Sequence, residues 1–407
     1  MEQSEWDAAI DHFRQPLNQA SGSQLVAFFN LIGLCHYPRG RLKEALENYE
    51  LSARLADELQ DKAGRAKALG NIGVIYRNKG DPDKALQYLH EALKIHKEIQ
   101  DGQGQAIDLG NIGGVHAVTG DWDMALEYYQ QSLVTSKEVG FRQGQAKVLP
   151  NIGNVYSLRG DFSKALEYYE QALKALREIG SKQGEATVLG NIGLIYQNKG
   201  MLDKALMYNE QALGIARGIH FRQGQANYLG NIGNVHYLEG RLDESLRFHK
   251  EALLIDEEIG YKQGQAEDHG HIGNVYQTKG ELDKALENYG LALTAAREIR
   301  DRRGEAVQLG NIGQICIDKG LQGGAEEALL DKGLGYLLQA LVIFRSIGAE
   351  PMVQEALVNL SVVHRKLGSE SFVDACERTK MEKEEAKKLA EEIEKLRLQP
   401  PATHNQG

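Results

Sequence analysis

Proline is scarce in this chain, 7 residues in 407, and cysteine scarcer still, at 3. Cys35, Cys316 and Cys376 stand far apart, which argues against a disulfide framework and for a reducing compartment. No stretch approaches the ~18 consecutive apolar residues of a spanning helix. The opening MEQSEWDAAIDHFRQ lacks the apolar core of a signal peptide. These absences point to a cytoplasmic protein with no membrane insertion. Basic residues are outnumbered, 47 to 57, for a net charge of −10, which disfavours nucleic acid as a partner. No segment alternates apolar and polar residues with period two, so strands are not expected. Chemistry is missing as well. There is no GxxxxGK[ST] loop, no GxGxxG after a strand and no CxxC pair, and His269 and His271 are two apart and diverge on a helix. The expectation is a non-enzymatic protein with no cofactor, no metal and no catalytic residues. A hydrophobic fraction of 42% nevertheless makes it a folded chain.

Glycine is in excess, at 45 residues, well above the usual ~7% of a globular protein. Most of it recurs in steps of forty: Gly40, Gly80, Gly120 and onward to Gly320; Gly33, Gly73, Gly113 and onward to Gly313; Gly64, Gly104 and onward to Gly304. A fourth series, Gly70, Gly110, Gly190, Gly230, Gly270 and Gly310, has Pro150 in its vacant slot. At ~150 residues per domain the length suggests two or three domains. The internal repeat replaces that with one elongated domain.

Each unit reads as two helices. The first runs over about 64–79, with Ala66, Leu69, Ile72, Gly73 and Tyr76 three and four apart, and stops at Gly80, which tolerates the left-handed conformation of a helix end. The second spans about 82–99 and buries Ala85, Leu86, Leu89, Ala92, Leu93 and Ile95, with Asp81 as N-cap and Pro82 in the first turn. Mid-helix glycine costs ~1 kcal/mol relative to alanine, so Gly70 and Gly73 mark close helix contacts. His116 and His236, in the slot of Tyr76, read as packing residues.

Leu69, Gly73, Tyr76, Gly80, Ala85, Tyr129 (Leu89 in its own unit) and Ala92 follow the pattern of the tetratricopeptide repeat (TPR) family. The unit LGNIGVIY…GDPDKALQYL resembles the forty-residue, long-repeat type of the LGN/Pins adaptors and of prokaryotic tandem-TPR proteins. The resemblance implies an all-α fold, a right-handed α-solenoid of antiparallel helix pairs spanning 1–398. Residues 6–17 align with the second helix of a unit and form a lone half-repeat. Units follow at 24–60, 64–99, 104–139, 144–179, 184–219, 224–259, 264–299 and 304–347, the last with an insertion within 321–330. A capping pair covers 351–398, its charged helix beginning near 372, and 399–407 is a disordered tail. Cys316 replaces the aromatic of the 304–347 unit, which is expected to be a weak link.

One polar series has no propensity reason to sit mid-helix: Asn71, Asn111, Asn151, Asn191, Asn231 and Asn311. In the TPR family the first helix lines the concave surface, and the resemblance places these asparagines there. Each amide can donate to and accept from an extended backbone, so a row of them would hold a peptide. Asn154, Asn234 and Asn274 extend the strip three residues on, with Arg77 one turn along. The alternative is that each asparagine bonds a neighbouring repeat and stiffens the array, and the two are compatible. His271 replaces the ladder asparagine in one unit, where binding is expected to respond to pH between 5 and 8.

Helix 64–79 carries Arg65, Lys67, Arg77 and Lys79, whereas helix 264–279 is slightly acidic, so a partner's acidic end is expected toward the N-terminal repeats. A second basic row, Arg142, Lys182, Arg222, Lys262 and Arg302, reads as a complement to helix-end charge, the alternative being an edge-binding site with Phe141, Phe221 and Tyr261. The functional expectation is a protein–protein interaction scaffold or adaptor binding an extended peptide segment of a partner in the concave groove. Two alternatives stay open: a regulatory sensor module of a larger signalling protein, and a self-assembling structural protein that forms homo-oligomers through terminal repeats.

Overall fold

The computed structural model describes residues 22–322 and 327–398; the expected helix at 6–17 and the tail at 399–407 lie outside them. The chain divides into two units, residues 1–199 and 200–407. The first holds α1 (Ser23–His36), a short 3-10 turn (Tyr37–Arg39), α2 (Leu42–Glu58), α3 (Lys62–Asn78), α4 (Pro82–Glu98), α5 (Gly102–Val118), α6 (Trp122–Glu138), α7 (Arg142–Leu158), α8 (Phe162–Glu178) and α9 (Lys182–Asn198). The second holds α10 (Leu202–Gly218), α11 (Arg222–Leu238), α12 (Leu242–Glu258), α13 (Lys262–Thr278), α14 (Leu282–Glu298), α15 (Arg302–Gln322), α16 (Glu327–Ser346), α17 (Glu350–Leu367), α18 (Ser369–Arg378) and α19 (Lys383–Leu398). There is no strand among the described residues.

Within each unit the helices form paired antiparallel repeats, and each helix packs on the next in sequence. The glycine clock has a direct cause. An added Cβ at Gly153 would lie 2.6 Å from the Tyr169 ring, and one at Gly273 would lie 2.6 Å from the Tyr289 ring. The bare backbone of the first helix is therefore the seat of a buried ring from the second. Where the ring becomes Leu89, its side chain fills the same place against Gly73. Gly80 (φ 75°) ends α3 in the left-handed region, and the Asp81 carboxylate caps α4 by accepting from the Lys84 amide at 3.2 Å.

Adjacent repeats are joined by a glutamine at one register. Gln145 Nε2 donates to the Ser136 carbonyl at 3.2 Å, and Gln225 and Gln265 do the same to Ala216 and Asp256. Where the residue is Glu185, the joint is ionic instead, to Arg177 at 2.6 Å, with Lys182 of its own helix at 2.9 Å. In the basic row, Lys262 and Arg142 stand at the N-termini of their helices, where the dipole disfavours positive charge. They pair with Glu298 (3.2 Å) and Glu178 (3.6 Å) thirty-six residues on. Both are thus held in ion pairs between repeats.

The expected insertion within 321–330 includes residues 323–326, which lie outside the described residues. α15 runs on to Gln322 and α16 starts at Glu327, both longer than the 17-residue helices before them. Gly320 stays helical here, because Leu330 packs over it, 3.0 Å from where a Cβ would stand. The core of this pair is filled around Cys316. Cys316 is 3% exposed inside a large cluster with Leu309, Ile317, Leu334, Leu337 and Leu341. The closing helix is also interrupted, since Lys380 takes a left-handed φ of 73° and separates α18 from α19. Burial of Phe372, Cys376, Ala386, Leu389 and Ile393 explains why both pieces stay docked.

Candidate functional site

In residues 22–199 the first helices α1, α3, α5 and α7 set equivalent positions side by side, and two adjoining clefts open there. The first, about 610 Å³, is lined among others by Asn30, Leu31, Leu34, Lys67, Asn71 and Asn111. The second, about 410 Å³, is lined by Arg77, Ile107, Asn111, Gly114, Lys147 and Asn151, with Tyr129 at its wall. Ile107 and Asn111 line both, so the clefts form one groove. Four expected site residues, Asn71, Arg77, Asn111 and Asn151, thus face one surface.

The asparagines of this groove are not equivalent. Asn71 Nδ2 donates to Asn30 Oδ1 at 3.4 Å, and Asn30 is itself tied to Ser52 Oγ at 2.8 Å. Asn111 and Asn151 make no hydrogen bond to another described residue, and Asn151 is exposed. Further along, Asn191 Nδ2 donates to Asn154 Oδ1 at 3.1 Å, and Asn154 also accepts from the Tyr169 hydroxyl at 2.6 Å. Amides at these positions bridge repeats. Those at 111 and 151 keep their donors and acceptors open.

Charge in the groove is also asymmetric. Each of its acids makes a contact inside the protein. Asp61 accepts from the Gly64 amide at 2.9 Å, Asp101 from the Gly104 amide at 3.0 Å, and Asp108 lies 2.7 Å from His96 Nδ1. Burial pushes the Asp108 carboxyl above its ordinary range, which the His96 contact only partly offsets. Lys67, Arg77 and Lys147 have no carboxylate partner among the described residues, whereas Arg65, Arg142 and Arg159 outside the groove are paired. Arg77 lies across Gly114, where an added Cβ would fall 2.8 Å from Nη1. Gly114 stands off the forty-residue clock, and that irregularity was the sequence signal for this arrangement. Ile107 and Asn30 carried no such signal.

Residues 200–407 treat the ladder differently. Asn231 Nδ2 donates to Asn209 Oδ1 at 3.1 Å. The Tyr289 hydroxyl lies 2.7 Å from both Asn274 Oδ1 and Gln277 Oε1. Asn234 and Asn311 are half-buried and make no hydrogen bond to another described residue. His271 stacks on His249 with ring centroids 4.8 Å apart. Desolvation, with His249 alongside, pushes the His271 imidazole down to about 4. That direction argues against the expected pH response of binding at this residue. His116 and His236 are stacked on Tyr128 and Phe248, as packing residues.

The described residues contain no group of three or more His, Cys, Asp or Glu side chains placed to hold a metal ion. No described helix is long and apolar enough to cross a membrane.

The tetratricopeptide repeat signature matches residues 24–98, 106–178 and 184–258, and a second such signature matches 269–299. No curated protein matches significantly. Among solved structures, the chain is similar to a signal transduction ATPase with numerous domains and a tetratricopeptide repeat sensor, from Pyrococcus horikoshii. That match has TM-score 0.61 and 14% identity, and covers 88% of this chain and 55% of that one. It is similar to a Rap protein crystallised with competence and sporulation factor, with TM-score 0.55 and 14% identity over 72% of this chain and 80% of that one. It is also similar to the apo quorum sensor NprR from B. thuringiensis, with TM-score 0.54 and 16% identity over 89% of this chain and 99% of that one. At these identities the likeness is one of fold.

Proposed function

The chain belongs to the tetratricopeptide repeat family, and on that premise we propose that it is a non-enzymatic scaffold that holds an extended segment of a partner protein in the groove of α1, α3, α5 and α7. The observation that carries this reading is the pair of open amides at Asn111 and Asn151, flanked by three cations without carboxylate partners. An extended chain has one unsatisfied donor and acceptor per residue, and an asparagine offers the matching acceptor and donor. The cations favour a segment whose acidic end lies over Lys67, Arg77 and Lys147. A Rap protein of similar fold has been crystallised with competence and sporulation factor, which is consistent with a repeat array that holds a bound factor. The likeness to LGN/Pins rests on packing residues and brings no partner with it.

A second reading is a sensor module of a larger signalling protein. It draws on the likeness to the ATPase with a repeat sensor and to NprR. Both readings use the same groove and differ in what the bound segment triggers.

The test is affinity capture on the full chain beside an Asn111→Ala/Asn151→Ala variant of equal melting temperature. Neither amide bonds another described residue, so the variant should fold unchanged. Partners should be lost with the variant; equal recovery by both proteins sinks the groove.

A further inference from the structure

The groove also contains an apolar patch that amide recognition does not need. Leu31 is 37% exposed, Leu34 46% and Ile107 46%. All three line the first cleft. The same registers in neighbouring repeats are mostly polar or small. Position 31 corresponds to Asn71, Asn111 and Asn151. Position 34 corresponds to Val74, Gly114 and Asn154, and position 107 to Lys67, Lys147 and Thr187. Leu31 thus replaces an amide and Ile107 an ammonium group, and Leu34 adds a third aliphatic side chain, on a surface where water reaches them. Isolated exposed leucines need no explanation, but a contiguous set rimmed by polar groups marks a contact site. The cleft volume, about 610 Å³, lies inside the ~300–1,000 Å³ range of sites that enclose compact ligands.

We propose that the segment bound here is amphipathic: it places a bulky aliphatic or aromatic side chain against Leu31, Leu34 and Ile107, with carboxylates alongside at Lys67, Arg77 and Lys147. This rests on the groove reading above and specifies its ligand class. Ile107 lines both clefts, so the apolar anchor and the acids sit on neighbouring residues of one segment. A basic segment is disfavoured by the three cations, none of which has a carboxylate partner among the described residues. A segment that is only acidic would leave the leucines wet. Burying one large apolar side chain is worth roughly 1.5–3 kcal/mol, or about tenfold to a hundredfold in affinity.

The experiment is selection from a random-heptapeptide display library on the immobilised full chain. Three variants are panned in parallel: Ile107→Lys, which installs the residue of two neighbouring repeats; Leu34→Asn, which installs the amide that Asn154 supplies at the same register; and Asn111→Ala/Asn151→Ala. Melting temperatures confirm that each is folded. The wild type should enrich peptides in which Leu, Ile, Met, Phe or Trp neighbours Asp or Glu. Ile107→Lys should keep the acidic preference and lose the apolar one, and synthetic peptides with that residue changed to serine should bind the wild type tenfold or more weakly. Acidic enrichment with no apolar preference overturns the anchor and leaves the groove reading standing. Enrichment of basic peptides overturns both, as does the absence of any enrichment over a blank surface.

Discussion

The repeat pair α11–α14 buries acids where every other repeat is neutral or singly charged, and this gives a quantitative prediction. Asp256 is 2% exposed, at a register held elsewhere by Ala56, Ser136, Leu176, Ala216 and Ala296. Asp268 is 5% exposed where Val148, Val188 and Tyr228 stand. Its Oδ1 lies 3.3 Å from Nδ1 of His249, which occupies the tyrosine slot and is fully buried. His271 stacks on that imidazole. From α15, the neutral Gln308 packs on Gly270, and from α14, Asn288 bonds His269; Glu267 is the nearby charge that also acts on both acids. Desolvation pushes Asp268 from 3.8 up to about 8, and desolvation with Asp268 and Glu267 pushes Asp256 up to about 7. The same burial pushes His249 and His271 from 6.5 down to about 4. Raised acids stabilise least at high pH, and their contribution falls as pH rises toward the folded value. The lowered histidines act oppositely, but only between about pH 4 and 6.5, so above that window the acids act alone. Each retained proton gives a slope of about 1.4 kcal/mol per pH unit. Asp256 holds its proton for the first half unit and Asp268 through the whole interval, so the loss between about pH 6.5 and 8 is roughly 2–3 kcal/mol. The perturbation is Asp256→Ala with Asp268→Val, residues used by sister repeats. Thermal melts across this range, with amide exchange over α12 and α13, should show the wild type losing stability relative to the variant as pH rises. Parallel pH profiles would refute the burial argument.

Other outcomes follow from the same packing. Gly153→Ala pushes a methyl into the Tyr169 ring and should destabilise by about 1–3 kcal/mol by chemical denaturation, despite alanine's better helix propensity. Gly290→Ala, with nothing within 4 Å of the added Cβ, should instead stabilise by about 0.5–1 kcal/mol. Gln100 and Arg300 hold φ of 56° and 59°, so Gln100→Gly and Arg300→Gly should each raise the melting temperature slightly, since about 1–2 kcal/mol of relieved strain outweighs the roughly 0.5–1 kcal/mol of backbone entropy that glycine adds. Lys67→Glu with Arg77→Glu should slow association of an acidic segment and remove its salt dependence in stopped flow; an unchanged rate contradicts the charge argument.

The repeat was legible because its residues act locally. A ring on a bare backbone forces Gly153 and Gly273, and a cap forces Asp81, so each leaves a mark at a fixed spacing. The C-terminal repeats were not legible in the same way. Gly320 can end a helix or sit inside one, and only Leu330 packing over it decides. In α18 and α19 a continuous charged pattern hides the turn at Lys380. The partners of Arg142 and Lys262 lie thirty-six residues away, beyond what helix-end position reveals. At the groove, the asparagines stood out because a helix has no use for them. Spacing could not separate Asn111 and Asn151 from Asn191 and Asn231, since that depends on whether Asn154 or Asn209 stands opposite. Ile107 is an unremarkable letter until it lines the same cleft as Leu31 and Leu34.

The central claim is that open amides hold the backbone of an extended segment. It is tested most directly with a library-selected peptide in which single backbone amides are N-methylated in turn, each compared with alanine at the same position. At the residues over Asn111 and Asn151, methylation should weaken binding at least about tenfold, the order of one to two lost hydrogen bonds, while alanine is tolerated. Methylated peptides that bind as tightly as the parent at every position would contradict it.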